Sequence, residues 1–240
     1  MANRVRIHAS CSHAKNRILS ALTVDEYRSI SRHLSFVNLK QGDVLYNTDN
    51  WIDFAYFVIS GMASSLSVTA EGLTVEDGIV GLEGLLGGMA ALGDGRIFCS
   101  GIVQIPGNAM RIGARELRYE FKHNTGFSGL LMDYLNDLRL QMDQSSRCQG
   151  LHSLEQRLCR LLLISLDCSP SAILPLSLRF LSRAVGATRA EVFLAACALN
   201  DEGLISYRHN WIRITKREEM EHRACGCYLL YAHRLHHPPS

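Results

Sequence analysis

The sequence contains no apolar run approaching the roughly 20 residues that a membrane span needs. Its opening stretch, MANRVRIHASCSHAKNRIL, lacks the continuous apolar segment of a secretory signal. A cytoplasmic protein without a membrane partner is therefore expected. Low-complexity tracts are missing too. With 47% hydrophobic and 20% charged residues, the 240 residues can bury a core for two modest domains or one large one. Nothing in this composition calls for disorder. There is no Ser/His/Asp spacing, no Gly-x-Ser-x-Gly element, no phosphate loop and no metal-ligand motif, so no catalytic residue is assigned and no enzyme is expected.

A C-x-x-C pair is also lacking among the cysteines at 11, 99, 148, 159, 168, 197, 225 and 227. Several lie among apolar residues, as in Leu158-Cys159 and Ala196-Cys197-Ala198, where a free thiol packs as a small hydrophobe. Their spacing predicts no metal site. The one tight cluster is Cys225-x-Cys227, with His222 nearby and His233, His236 and His237 beyond. It reads as a metal site, a redox pair or the start of an ordinary terminal helix. Charge is scarce in net terms, +2 overall, but unevenly divided. Residues 153–240 hold eleven Lys/Arg and eight Asp/Glu, whereas residues 1–152 hold fourteen and fifteen. The slight basic lean points to an acidic partner for the C-terminal part.

What is present changes texture along the chain. Residues 16–34 read as short helices: Leu19, Leu22, Tyr27, Ile30 and Leu34 share a face, and Thr23 caps ahead of Glu26. From Phe36 to Ile112 short apolar runs (FVNL, DVLY, FAYFVIS, SSLSV, IFCSGIVQI, NAMRI) alternate with Gly and Asn about every ten residues. Thirteen of the nineteen glycines fall between Gly42 and Gly113, which predicts many short strands in a sandwich or barrel-like β domain. Helical patterning then returns. Leu131, Leu135, Leu138 and Met142 follow a 4-3-4 spacing with Tyr134 beside them, the seam of a helix packing lengthwise on a partner or on its own β domain. A further stripe, Leu154, Leu158, Leu161, Leu162 and Leu166, follows Ser153 as cap and breaks at Cys168–Pro175.

Residues 176–214 carry the most informative order. LSLRFLSRAV forms a helix, Gly186-Ala187 a tight turn, and Thr188 caps a second helix over Arg189–Asn200. In that helix Val192, Ala195, Ala196 and Leu199 pack inward, while Arg189, Ala190, Phe193, Leu194 and Cys197 face out. The strands ISYR and WIRIT follow around His209-Asn210. Helix, turn, helix and hairpin is the order of a winged helix-turn-helix, whose second helix enters the major groove. Arg189 at the helix start has the chemistry to pair with guanine, and Arg183, Arg208, Arg213 and Lys216 could meet phosphates, with Tyr207 or Trp211 bracing the wing. A small helical core with a solvated basic surface is the competing reading.

With these motifs in place, residues 15–228 resemble the Crp/Fnr family of transcription regulators. The likeness rests on Gly81-Leu82-Glu83-Gly84-Leu85-Leu86-Gly87, Val103-Gln104-Ile105-Pro106-Gly107 and the segment Gly150 to Leu158 (GLHSLEQRL). Gly203-Leu204-Ile205 and Ala224-Cys225-Gly226-Cys227-Tyr228 extend it. The resemblance implies an α+β protein: a β-roll sensor at 1–125, a dimerisation helix at 126–150 and a winged helix-turn-helix at 151–240. It also implies double-stranded DNA, a second copy of the chain and RNA polymerase as partners. Leu131, Tyr134, Leu135, Leu138 and Met142 would form the dimer seam; Thr188, Arg189, Ala190, Phe193, Arg183, Arg208 and Arg213 would meet DNA.

The departures set further expectations. In relatives that bind cyclic nucleotides, a Glu of the Gly-rich element holds the ribose and an Arg holds the phosphate. Glu83 fits the first position, beside Gly81 and Gly84. The Arg should fall near Cys99 or Ser100, and Arg96 is displaced from there, so a buried phosphate would lack its cation. No cofactor and no cyclic nucleotide is therefore expected, and the effector is unassigned. Iron–sulfur relatives need an N-terminal cysteine cluster, and only Cys11 is present; His33, Cys99 and Met89 lack the context of a haem ligand. In the recognition helix Ala190 and Leu194 replace the Glu and the second Arg of a well-known pattern, and Glu191 would face phosphates. A non-standard operator is expected, or else a module of the same fold whose apolar outer face binds a ligand or protein instead of DNA.

Overall fold

The computed structural model describes residues 16–236 except 49, 69, 71–73, 94, 96–97 and 209–210; of residues 233–236 it describes the backbone alone. Cys11, Arg96, His209, Asn210 and His237 therefore lie outside the described residues, as do the side chains of His233 and His236.

Two short helices open the chain, α1 (Arg17–Ala21) and α2 (Val24–Ser31). Thr23 and Glu26 close a capping box on the second, satisfying two orphan N–H groups. Leu19, Leu22 and Ile30 are buried against the β domain, with Tyr27 and Leu34 packed at its edge.

The β domain is one antiparallel sheet: β1 (Ser35–Leu39), β2 (Val44–Tyr46), β3 (Phe54–Val68), β4 (Thr74–Val80), β5 (Leu85–Leu86) and β6 (Cys99–Gly113). The order is β1-β6-β3-β4, with β2 added to β6 and β5 to β3. The runs FAYFVIS and SSLSV, expected as separate strands, form a single strand of 15 residues, and so do those spanning 99–113. Glycine explains the merger. Gly61 has φ +85°, and a Cβ there would lie 2.6 Å from the Ile105 carbonyl oxygen; one on Gly107 would lie 1.9 Å from that of Ser60. The two backbones cross too closely for side chains, so Gly acts here as a bulge residue rather than a turn. Strand β3 is buried almost throughout because its two faces serve different cores. Ala55, Phe57 and Ile59 meet the helices, while Tyr56, Val58 and Ala63 fill the roll.

After β6 come α3 (Ala114–His123) and the long α4 (Thr125–Leu151). Here one expectation needs correction. Leu131 (0% exposed) and Tyr134 (7%) point into the chain's own roll, with Phe127, and are not free for a partner. Tyr134 seats on Gly84, where an added Cβ would lie 2.4 Å from its hydroxyl. Leu135 and Leu138 also pack against the roll, half-buried. Helix α5 (Leu154–Cys168) starts at a Ser153–Gln156 capping box. It is followed by β7 (Ile173–Leu174), α6 (Leu178–Val185), α7 (Arg189–Asp201), the hairpin β8 (Ile205–Arg208) and β9 (Trp211–Ile214), then α8 (Arg217–Arg223) and α9 (Cys227–His236). Strand β9 pairs with both β8 and β7. Their shared core joins Leu158, Leu162, Phe180, Leu181, Val192, Leu199 and Ile212 with Met62, Ile79 and Ile105 of the roll. The two halves thus pack on one another.

Candidate DNA interface and sensor cavity

Helix α6 begins where Ser177 Oγ accepts from Phe180 N, and ends at Gly186, whose left-handed φ of +63° reverses the chain within one residue. Thr188 then starts α7: its hydroxyl accepts from Glu191 N at 3.3 Å, and its own N–H donates to Glu191 Oε2 at 2.8 Å. Glu191, expected to face phosphates, is the cap's second half. Its carboxyl is held below the usual range by the Thr188 hydroxyl and amide. Val192, Ala196 and Leu199 fix the inner face. Arg189 and Ala190 stand exposed in the first turn, the part of such a helix that reaches base edges. Phe193 is 45% exposed and Leu194 66%, which leaves an apolar outer face. Phe193 is nonetheless anchored, meeting the Tyr207 ring edge-on at 6.2 Å between centroids. Tyr207, not Trp211, therefore ties the wing to the recognition helix, and Asn200 Oδ1 accepting from Tyr207 N at 3.0 Å adds to this.

The basic residues divide. Arg208 and Arg213 are exposed on β8 and β9, on the hairpin beside α7. Arg183 is half-buried on α6, within electrostatic reach of Arg189 and of Glu76 on β4. Lys216 pairs with Glu219 at 3.2 Å.

The sensor site differs from its expected outline. Gly81, Glu83 and Gly84 are not among the residues lining the large cavity beside α4. Glu83 is sealed where the roll meets α5 and α9: one oxygen accepts from Gly81 N at 2.8 Å, and the other finds no hydrogen-bond partner. Burial pushes its carboxyl pKa upward, and Arg17 and Tyr231 offset this in part. A Cβ on Gly81 would lie 2.4 Å from Cys168 Sγ, so no ribose has room there. Ser100 is spent on Thr48, whose N–H donates to its hydroxyl at 3.1 Å.

The cavity lies instead between the roll and α4. Its volume is about 550 Å³, and its walls are mostly apolar, including Ile52, Leu85, Leu86, Cys99, Leu135 and Leu138. Tyr46 and Asp77 supply polar groups; burial raises both pKa values, and Asp77 accepts a 2.7 Å bond from the Ser67 hydroxyl. Among the described lining residues the one guanidinium is Arg139, paired with Asp143 at 2.8 Å. Met132 (49% exposed) and Met142 (36%) form the outer rim on α4. Sequence spacing missed this chamber because its walls come from strands far apart in the chain.

Cys159 and Cys168 are core thiols, as expected. Cys225 and Cys227 do gather with a histidine, but with His152 and Cys148, not His222.

A roll, a long helix and a winged helix-turn-helix follow one another on this chain. Residues 156–223 match the family model of the Crp-like helix-turn-helix domain. FixK2 from Bradyrhizobium japonicum superposes with a TM-score of 0.66 at 14% identity, over 80% of this chain and 98% of that one. A regulator of the Crp/Fnr family from Eubacterium rectale gives 0.65 at 14%, covering 84% and 94%. The c-di-GMP responsive global regulator CLP of Xanthomonas campestris gives 0.58 at 16%, covering 79% and 98%. Among curated proteins no sequence matches the chain. The C-terminal part is thus a Crp-like helix-turn-helix domain, and the whole chain has the fold of the Crp/Fnr transcription regulators.

Proposed function

We propose that this protein is a homodimeric DNA-binding transcription regulator in which a signal received by the roll repositions the recognition helices. The observation that carries the reading is the Thr188-capped α7 with Arg189 exposed in its first turn, inside a domain that matches the Crp-like family. Arg189 reads a guanine, Phe193 and Leu194 contact thymine methyls or flanking sugars, and Arg208 and Arg213 hold phosphates. With Ala190 and Leu194 on the face, the operator differs from the family's well-known palindrome. In a gel-shift on the DNA upstream of its own gene, Arg189→Ala should weaken specific binding by about 1–3 kcal/mol and leave salt-sensitive non-specific binding nearly intact. Equal specific binding by both proteins would remove Arg189 from the reading role.

The effector in this reading is an uncharged, largely apolar small molecule held in the 550 Å³ cavity. The sealing of Glu83 argues against a cyclic nucleotide, whose ribose needs that carboxylate. Thermal-shift titration with cyclic AMP and cyclic GMP should leave Tm unchanged; stabilisation by either refutes this part. For the dimer, the outer rim of α4 is the candidate contact. A partner helix over Met132, Leu135 and Met142 would cover exposed apolar surface and close the cavity at once, linking ligand to assembly.

A further inference from the structure

Two segments converge where α4 hands over to the helix-turn-helix domain. Cys148 lies in the last turn of α4, His152 is that helix's C-cap, and Cys225 and Cys227 flank the α8–α9 junction. Their three Sγ atoms and one imidazole nitrogen all lie within 4.8 Å of one another. Cys148 Sγ is 3.3 Å from both Cys225 Sγ and His152 Nδ1, and Cys227 Sγ is 3.9 Å from that nitrogen. Around a tetrahedral zinc ion, with bonds of about 2.3 Å to sulfur and 2.0–2.1 Å to nitrogen, ligand atoms stand roughly 3.5–3.8 Å apart. The separations of 3.3, 3.3 and 3.9 Å need shifts of only a few tenths of an ångström to meet that, and the 4.8 Å bound on the remaining pairs leaves at most about 1 Å to close.

Ordinary thiol packing explains the cluster less well. Cys159 and Cys168 merge into the leucine core, whereas Cys148, Cys225 and Cys227 pack on one another as a separate buried group. Two polar side chains face the cluster. Gln144 Nε2 donates to Cys227 Sγ at 2.8 Å. The Arg160 guanidinium is 8% exposed, has no hydrogen-bond partner at Nε, and acts electrostatically on both Cys148 and Cys225. Three thiolates and one neutral imidazole around a divalent ion carry a net charge of −1, and this buried cation would neutralise it.

We propose that Cys148, His152, Cys225 and Cys227 form a closed tetrahedral site for one zinc-class ion. The donor set is soft and selects against magnesium and calcium. All four positions are filled by protein, so the ion is structural and staples the end of α4 to the end of the DNA-binding domain.

The test uses the full chain purified under reducing conditions, with metal content measured directly, then stripped and reloaded with Co(II). About one zinc per chain is expected. Co(II) should give the thiolate charge-transfer absorption and intense visible bands of tetrahedral coordination. Cys225→Ser and His152→Ala should each lower stoichiometry and shift or abolish those bands, while His222→Ala and Cys197→Ser should leave both unchanged. The wild-type cobalt spectrum stands even if a site variant misfolds. A reduced wild-type chain with neither zinc nor cobalt bands overturns the proposal, as does recovery of Cys148 and Cys225 as a disulfide in place of bound metal. Full metal content with an unaltered spectrum in Cys225→Ser also overturns it.

Discussion

At the scale of single residues, the roles that matter are set by what each side chain has left to offer. Arg189 has no ion-pair partner among the described residues, whereas Lys216 and Arg217 are engaged with acids on their own helix or on α5. Arg189 is therefore the residue whose loss should change sequence preference, and a selection against randomised sites comparing wild type with Arg189→Ala reads this directly. Gly107 is the reverse case, chosen for what it lacks. A Cβ 1.9 Å from the Ser60 oxygen has only backbone to push against, so Gly107→Ala should destabilise the roll by about 3 kcal/mol, measured by urea unfolding. Gly107 was noticed within the VQIPG motif, but its reason was not legible: the clash involves a residue 47 positions earlier. Glu83 shows the same limit. Its place in the Gly-rich element suggested a sugar ligand, and only the packing of Cys168 and Tyr231 over it shows that the site is shut.

Among the elements, local chemistry was read well wherever cap and period agree. Thr23, Ser153 and Thr188 each cap as their sequences indicate, because a capping box is completed within three residues and needs nothing distant. Thr188→Ala should cost about 1 kcal/mol of stability and weaken DNA binding, since the same hydrogen bonds orient the turn that presents Arg189; denaturation and gel-shift on one preparation check both. The long helix runs from Thr125 to Leu151, and its stripe packs in part on the chain's own roll, one of the two arrangements its spacing allows. Leu131, Leu135, Leu138 and Met142 obey a heptad, but periodicity cannot say whether a stripe meets a partner or the chain's own sheet. With Leu131 and Tyr134 committed to the roll, the proposed dimer contact lies at the rim. Met142→Glu should then shift the species seen by analytical ultracentrifugation from dimer to monomer while leaving the fold unchanged by circular dichroism. An equivalent dimer in Met142→Glu would place the contact elsewhere.

For the molecule as a whole, the helix-turn-helix rests against the roll. Helix α6 lies on β4, and Arg183 there is drawn toward Glu76. The Glu76 carboxylate oxygens are shielded and without hydrogen-bond partners, and burial raises its pKa to about 8 from 4.5 despite the pull of Ser64 and Arg183. The sign follows from which state holds the proton. Between pH 4.5 and 8 the folded chain binds a proton that the unfolded chain has released. Glu76 thus costs nothing below pH 4.5; its cost grows as pH rises from 4.5 to about 8 and is constant above that. Glu76→Gln should flatten that decline and stabilise the protein most above pH 8. Parallel denaturation curves of the two proteins from pH 6 to 9 measure it; identical pH slopes would mean that the carboxyl is not buried in solution.

Short-range patterns along the chain set the order of parts: capped helices, a glycine-punctuated β region, a long apolar-striped helix and a helix-turn-helix with its hairpin. These follow from interactions spanning a few residues, which a linear pattern records completely. Tertiary packing settles which residues of α4 meet the roll, where the cavity between roll and α4 opens, why the Glu83 carboxylate is shielded, and that Cys148 and His152 join Cys225 and Cys227. Each of these depends on contacts between segments tens of residues apart, and such proximity is a property of packing that no local spacing encodes.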